Sequence, residues 1–306
     1  MGNEAKIGVV TVTYNSAQVL DGFLSSLLRQ SHTDFLLYVV DNASSDDTLK
    51  HLARYDDCRI LLIANQKNVG VARGNNQGIR AALEAGCDSV LLINNDTEFG
   101  PELLANLADG LDRFECDMVA PKILHFDNPE IIWSAGGGFN RLKGYAGFHY
   151  GLGQPDDGKF DSVRKVDHAP TCCLLVRKAV FSRVGTMDQW YFVYIDDADF
   201  CYRAKRQGMR LMYLPHARLL HKVSSLTGGA QSEFSIRYCA RNHVYFILKN
   251  LGPWRSLVYL PAYQLHLIGK FAIRRINGQE FFLREKAFCE GLRLWKLSLE
   301  VIHETG

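Results

Sequence analysis

The chain has 306 residues, enough for one large α/β domain or two smaller ones with a sizeable core. Hydrophobic residues make up 47% and charged residues 22%, a balance that excludes a disordered, collagen-like or disulfide-framework chain. Lys+Arg 35 against Asp+Glu 33 leaves +2, too even for a protein whose main task is to coat nucleic acid, so no nucleic-acid partner is expected.

The first 120 residues alternate β-branched runs with amphipathic stretches, the pattern of a mostly parallel α/β sheet flanked by helices. A strand is expected at Ile7–Thr13. A helix follows over Ser16–Gln30, with Val19, Leu20, Phe23, Leu24, Leu27 and Leu28 on one face. The second strand, Phe35–Val40, stops at Asp41 and leads into NASSDDT, a loop with several possible helix caps. Strand Arg59–Ala64, helix Val71–Glu84 and strand Ser89–Ile93 come next. Pro101 falls where proline is tolerated, in the first turn of a helix running to about Phe114.

Between Lys122 and Val166 the pattern loosens, and glycines cluster in SAGGGFN and GYAGFHYGLGQPDDGK. Long irregular segments of this kind are functional loops in many proteins, and Trp133–Gly153 is a candidate for such a loop. Regular structure is expected again at strand Cys172–Val176, helix Lys178–Val184, helix Asp197–Gln207, strand Leu211–Leu214 and helix Glu233–Asn250. This divides the chain into a main domain over 1–250 and a tail over 251–306. From Asn250 onward eight Lys/Arg stand against five Asp/Glu, interleaved with Trp254, Tyr259, Phe271 and Trp295. Such a tail reads either as helices at a membrane surface or as helices packed on the main domain. Eight cysteines show no CxxC or zinc spacing, and most of them read as small buried thiols of a reducing compartment. No signal-peptide pattern and no apolar run of the ~18 residues a spanning helix needs is visible, so a cytoplasmic location is expected.

The chemistry-bearing clusters sit at strand ends, which in an open parallel sheet form the ligand crevice. The turn after the first strand, YNSAQ, lacks the glycines of a dinucleotide fingerprint, and no P-loop sequence occurs. TVTYN contributes Thr11, Thr13 and Tyr14, and Asp41 ends the second strand. A carboxylate there can accept hydrogen bonds from a ribose or a pyrimidine imino group, or simply cap the next helix. NQKNVGVARGNNQGI supplies Asn68 and Arg73 at a helix start, with Gly70 and Gly74 for close backbone approach. LLINNDTEF delivers Asn94, Asn95 and Asp96, oxygen donors that suit a divalent cation bridging phosphates. YFVYIDDADFCYR places Asp196, Asp197 and Asp199 at a helix start, where they either complement the dipole or raise one another toward a general-base range. His216 and His221 follow in LPHARLLHKVSSLTGG.

Taken together and in order, these clusters resemble glycosyltransferase family 2, with a GT-A type fold, over about Lys6 to Asn250. NNDTEF, HKVSSLTGG and RNHVYFILKN are similar to the bacterial rhamnosyltransferase-like branch. The resemblance implies a nucleotide-sugar donor (dTDP-rhamnose or a UDP-sugar) and a saccharide or polyprenyl-linked acceptor in cell-surface polysaccharide synthesis. It also implies Mg²⁺ or Mn²⁺ as cofactor. Thr11, Thr13, Tyr14, Asp41, Asn68, Arg73 and Asn95 then fall on the donor side, with Asp41 at the base. Asp96 is implied as the metal-coordinating member of a DxD-type motif whose first acid is Asn94 here, with His221 completing the site. Asp197, the second member of the Asp196-Asp197 pair, is implied as the base of an inverting displacement. A glycoside hydrolase would also use two carboxylates but would leave the Asp41 and Asn68 clusters without a task. A non-catalytic nucleotide- or carbohydrate-binding protein on the same fold is the other alternative.

Overall fold

The computed structural model describes residues 5–223 and 231–305. Its parallel half comprises β1 (Ile7–Thr13), β2 (Phe35–Asp41), β3 (Ile60–Ala64) and β4 (Ser89–Ile93) in the order β3-β2-β1-β4. The intervening helices are α1 (Ala17–Leu28), α2 (Thr48–Leu52) and α3 (Val71–Glu84). Next along the chain come β5 (Thr97–Phe99), α4 (Leu103–Arg113), β6 (Met118–His125), β7 (Ile132–Ser134), β8 (Gly137–Asn140), β9 (Ala146–His149) and β10 (Arg164–Val166). They are followed by β11 (Cys173–Arg177), α5 (Lys178–Val184), α6 (Asp196–Arg206) and β12 (Leu211–His221). The chain closes with α7 (Glu233–Asn250), α8 (Pro253–Ala272) and α9 (Gly278–Thr305).

Beyond β4 the sheet continues through β11, β6, β12 and β10. Strand β11 runs antiparallel to both β4 and β6, while β12 lies parallel to β6. The start of β11 therefore lies at the same edge as the ends of β1, β2, β4, β6 and β12. That edge gathers the site. Strands β8 and β9 form a separate hairpin.

Side chains alternate across the central strands, as the pleat requires. Val10, Val90 and Leu92 face a layer shared with Ile79 and Ala82 of α3. Val9, Leu91 and Ile93 face the opposite layer, with Leu20, Phe23 and Leu24 of α1 and Leu104 and Leu107 of α4. Helix α3 sits directly on β1 because glycine allows it. A Cβ on Gly78 would lie 2.3 Å from Val10, and one on Gly74 2.9 Å from Val12. Gly74 thus serves helix–strand packing rather than the approach of a ligand.

Several elements depart from expectation. Strand β6 begins at Met118 and runs into the segment read as loosening, and Pro121 and Lys122 hide it by breaking its apolar run. The Lys122 side chain is wholly buried between Asp156, at 2.5 Å, and Asp161. Strand β12 does not end at Leu214 but passes Pro215 through an irregular register to His221. Helix α6 begins one residue early, at Asp196, and the NASSDDT loop closes into the short helix α2. Helix α4 begins at Leu103, so Pro101 lies in the turn ahead of it.

The tail helices pack on α7 and leave part of α8 uncovered. Helix α9 crosses α7 closely at Gly291, where a Cβ would stand 2.5 Å from the Arg241 carbonyl oxygen. Helix α8 buries Ser256 and Leu267 but leaves Trp254, Leu257, Val258 and Leu265 largely exposed.

Candidate active site

The end of β1 is braced from within. Thr13 Oγ1 donates to Asp41 Oδ1 at 2.8 Å, and Ser44 gives the same carboxylate a backbone N–H at 3.0 Å and a hydroxyl at 2.6 Å. Thr11 and Thr13 are fully buried, so they support the crevice floor rather than line it. Asp41 is nearly as buried, and its three hydrogen bonds leave one of about four acceptor positions free. Tyr14 is exposed at the rim. Asn95 Nδ2 donates to the Val12 carbonyl at 2.6 Å, tying the end of β4 to β1. Asn68 Oδ1 accepts from the Gly70 N–H at 2.9 Å and shapes the start of α3, where Arg73 stands exposed. Gly70 has φ +86°, and a Cβ there would strike Phe192. That glycine admits the loop before α6.

Asp96 and His221, distant in sequence, meet because β5 pairs with the end of β12. His221 Nε2 lies 3.2 Å from Asp96 Oδ1, and both side chains are buried. His221 Nδ1 has no hydrogen-bond partner. Burial opposes the charged imidazole of His221, but Cys172 and Asp96 beside it outweigh that and hold it up to about 10. A carboxylate oxygen next to an imidazole nitrogen is a donor set that Mn²⁺ or Mg²⁺ accepts once the imidazole has given up its proton, with the remaining positions left to phosphate and water. Among the described residues no cluster of three or more His, Cys, Asp or Glu is placed to hold a metal, so the substrate's phosphates would have to complete the set. His216 takes no part, and residues 224–230 of the HKVSSLTGG motif lie outside the described residues.

Asp196 and Asp197 open α6 after a strained loop. Phe192, Tyr194 and Ile195 all have positive φ, at 64°, 62° and 66°, a conformation that costs about 1–3 kcal/mol at each non-glycine residue. Helix α7 holds the loop in place. Asn242 Nδ2 donates to the carbonyls of Tyr191, Val193 and Tyr194 at 2.7–3.0 Å, and Arg241 donates to those of Trp190 and Tyr191. These two residues of RNHVYFILKN were not singled out by sequence; the signal available was the adjacent Arg-Asn pair in the middle of α7.

The three acids of α6 have separate fates. Asp199 is structural, taking hydrogen bonds from Tyr191, Arg203, Lys249 and Asn250. Burial, then Asp197 beside it, pushes Asp196 up to about 8. Burial pushes Asp197 up as well, but His168, His149 and the Ala198 N–H outweigh it and keep it below the usual carboxylate value. The mutual raising expected of this cluster therefore falls on Asp196 alone.

Asp196 ionises near 3.8 in an unfolded chain and near 8 in the fold, so the fold weakens as pH rises between those values. Asp196→Asn is expected to melt higher than wild type at about pH 8 and equally below about pH 4, by roughly 2–4 °C per kcal/mol. Thermal unfolding across that range checks it. Coincident curves at the alkaline end would contradict the assignment.

Aromatic and imidazole rings connect the two halves of the site. Trp133 lies 4.6 Å from His221 and 4.9 Å from His149 between ring centres, and His149 lies 5.3 Å from His168. His168 Nε2 is 3.8 Å from Asp197 Oδ2. Beside Asp197 opens a pocket of about 390 Å³, walled by Tyr145 and His149, by Cys239 and His243 of α7, by Tyr263 of α8 and by Arg284 of α9. The tail helices thus build one wall of the cavity.

The family model for glycosyl transferase family 2 matches residues 8–185. The chain belongs to this family. Among relatives, it is 29% identical over 67% of its length to the low-salt glycan biosynthesis hexosyltransferase of Haloferax volcanii, of which it spans 63%. It is 25% identical over 90% of its length to the N-acetylglucosaminyl-diphospho-decaprenol L-rhamnosyltransferase of Mycobacterium tuberculosis, covering 97% of that protein. Among solved structures, the mannosyltransferase of Pyrobaculum calidifontis in complex with GDP-Man and Mn²⁺ superposes with a TM-score of 0.57. That match has 15% identity and covers all of this chain and 89% of the other. The family 2 chain therefore has the GT-A type fold expected of it, a mostly parallel sheet flanked by helices with a helical extension after it.

Proposed function

We propose that this family 2 protein is an inverting glycosyltransferase that moves a sugar from a nucleotide sugar to a saccharide or lipid-linked saccharide acceptor. The observation that carries the reading is the meeting of the Asp96–His221 pair and Asp197 at one sheet edge, at opposite ends of a single run of rings. Asp197 lines the pocket and stays ionised, whereas Asp196 is buried and holds its proton at neutral pH. Geometry and charge both favour Asp197 as the base.

Asp197 removes the proton of the acceptor hydroxyl while that oxygen bonds to the anomeric carbon, on the face opposite the diphosphate. The bond from that carbon to the phosphate oxygen breaks with inversion, and the nucleoside diphosphate departs. Asp96 and His221 would hold a divalent cation, which when bound supplies charge stabilisation to the leaving diphosphate. The Mn²⁺ of the Pyrobaculum structure supports a cation in this fold. Arg73, exposed in the first turn of α3, adds positive charge on the donor side. The rhamnosyltransferase name of the mycobacterial relative supports a dTDP-rhamnose donor and a polyprenyl-diphosphate-linked acceptor. A thermal-shift panel of nucleoside diphosphates and nucleotide sugars with Mg²⁺ or Mn²⁺ tests this reading. A rise in Tm that needs both nucleotide and cation is expected, and no shift with any nucleotide overturns it.

The same reading docks α8 on an anionic membrane leaflet, peripherally, at the cytoplasmic face. No helix among the described residues is long and apolar enough to cross a membrane. Trp254 is 81% exposed, Leu257 67% and Leu265 69%, and they recur at helical spacing. Between Leu251 and Gln279 the chain carries Arg255, Lys270, Arg274 and Arg275 and no carboxylate. Each basic residue near an anionic surface contributes about 1 kcal/mol, and inserted apolar side chains add to it. The full chain is expected to pellet with anionic vesicles in a salt-sensitive way, and the triple variant Trp254→Ser, Leu257→Ser, Leu265→Ser to stay in the supernatant. Equal partitioning of the two would contradict docking through α8.

A further inference from the structure

We propose that His168 is a positioning residue for Asp197, held by the glycine hairpin so that its Nε2–H donates to the Asp197 carboxylate when the acceptor is bound. The inference rests on Asp197 being the base. His168 precedes β11, whose antiparallel course brings it to the site edge. Its ring is 3% exposed, and neither ring nitrogen has a hydrogen-bond partner. Leaving a buried polar group unpaired is destabilising, so the arrangement needs a reason. The 3.8 Å from Nε2 to Asp197 Oδ2 is just longer than a hydrogen bond, and catalytic contacts often tighten only when substrate is present.

The hairpin of β8 and β9 is shaped around this ring. A Cβ on Gly137 would lie 3.0 Å from His168 Nδ1, and one on Gly147 3.3 Å from Nε2. The His168 N–H also donates to the Gly137 carbonyl at 3.2 Å, and Phe139 packs its edge on the ring at 5.7 Å. The glycines of SAGGGFN and GYAGFHYG thereby acquire a purpose. They make room for an imidazole behind the base.

Around Asp197 stand Asp196 on its own helix, His168, His149 on β9, Cys239 and His243 on α7, and Arg284 on α9. His149 is held neutral, down to about 4, by burial and by His168, and its Nδ1 pairs with the Ser134 hydroxyl at 2.9 Å. His168 is therefore the histidine whose ring lies against the carboxylate with nitrogens to spare.

The test is the pH profile of kcat/KM for the full chain with nucleotide sugar and acceptor, in wild type, His168→Phe and His168→Gln. The phenylalanine variant keeps the ring but not the donor. It is expected to lose about 10–100-fold in kcat with donor KM unchanged. Its acid limb should move up in pH, because burial of Asp197 is then opposed only by His149 and the Ala198 N–H. Glutamine restores a donor of similar reach and should return the limb toward wild type. An acid limb unmoved in the phenylalanine variant overturns the proposal. If that variant does not fold, His168→Asn, too short to reach Asp197, takes its place, and equal limbs for the asparagine and glutamine variants overturn it. Asp197→Asn, run alongside, keeps the two claims apart: turnover retained there sinks the base itself.

Discussion

Asp197→Asn is expected to fold and to bind nucleotide sugar as the wild type does, while transfer falls by about 10²–10⁴-fold, the usual worth of a general base. The change removes one negative charge and keeps the shape, so the Ala198 N–H at 2.7 Å and the start of α6 retain a partner. Only the ability to take a proton is lost. Asp196 does not replace it, because burial keeps that carboxyl protonated up to about 8 and its Oδ2 is enclosed without a partner. Asp199 does not replace it either, since its four donors hold it between α6 and α7. Transfer measured under saturating donor, together with melting curves, checks the prediction. Near wild-type turnover would move the role to another group.

Asp96→Ala is expected to abolish the cation-dependent part of nucleoside diphosphate binding and to cost about 10²–10³-fold in turnover, the loss typical of removing one preorganised charge stabiliser. Asp96 is the anionic partner of His221 at the end of β12, and Asn94 and Asn95 beside it have no charge to offer. His221→Ala should weaken cation dependence without abolishing it. Removing either partner also frees the other from a buried contact, so each variant's Tm belongs in the comparison. Titration of nucleoside diphosphate with and without Mn²⁺ is the measurement. A wild-type protein indifferent to chelator would end the metal assignment.

The parallel half of the fold was legible because its strands and helices carry undisturbed periods. Helix Val71–Glu84 and strand Ser89–Ile93 occur with the bounds read from sequence. The other half was obscured by long-range pairing. Lys122 makes β6 look polar, yet its charge is matched by Asp156 and Asp161, more than thirty residues away. Pro215 made β12 look finished, although an irregularity carries it on to His221.

The site divides along the same line. Asp41, Asn95, Asp96 and the Asp196-Asp197 pair lie at strand ends or a helix start, where a local pattern exposes them. Trp133, His149 and His168 belong to no local motif. They come together only because β11 is antiparallel and the hairpin of β8 and β9 folds over its start. The signals in the sequence were the glycine-rich segment Trp133–Gly153, which holds Trp133 and His149, and a histidine shortly before a strand. The strained Phe192–Ile195 loop was likewise invisible, because Asn242, which secures it, lies some fifty residues downstream.

Transfer of a sugar from a nucleotide donor to an acceptor is the reaction proposed for this site. The most direct measurement counts nucleoside diphosphate released against glycoside formed, by the wild-type chain with Mn²⁺, across a panel of nucleotide sugars and saccharide or lipid-linked acceptors. Expected are one nucleoside diphosphate per glycoside, release that depends on acceptor, and an anomeric configuration opposite to the donor's. Nucleotide bound without release for every donor and acceptor, or glycoside cleaved with no nucleotide involved, would contradict it.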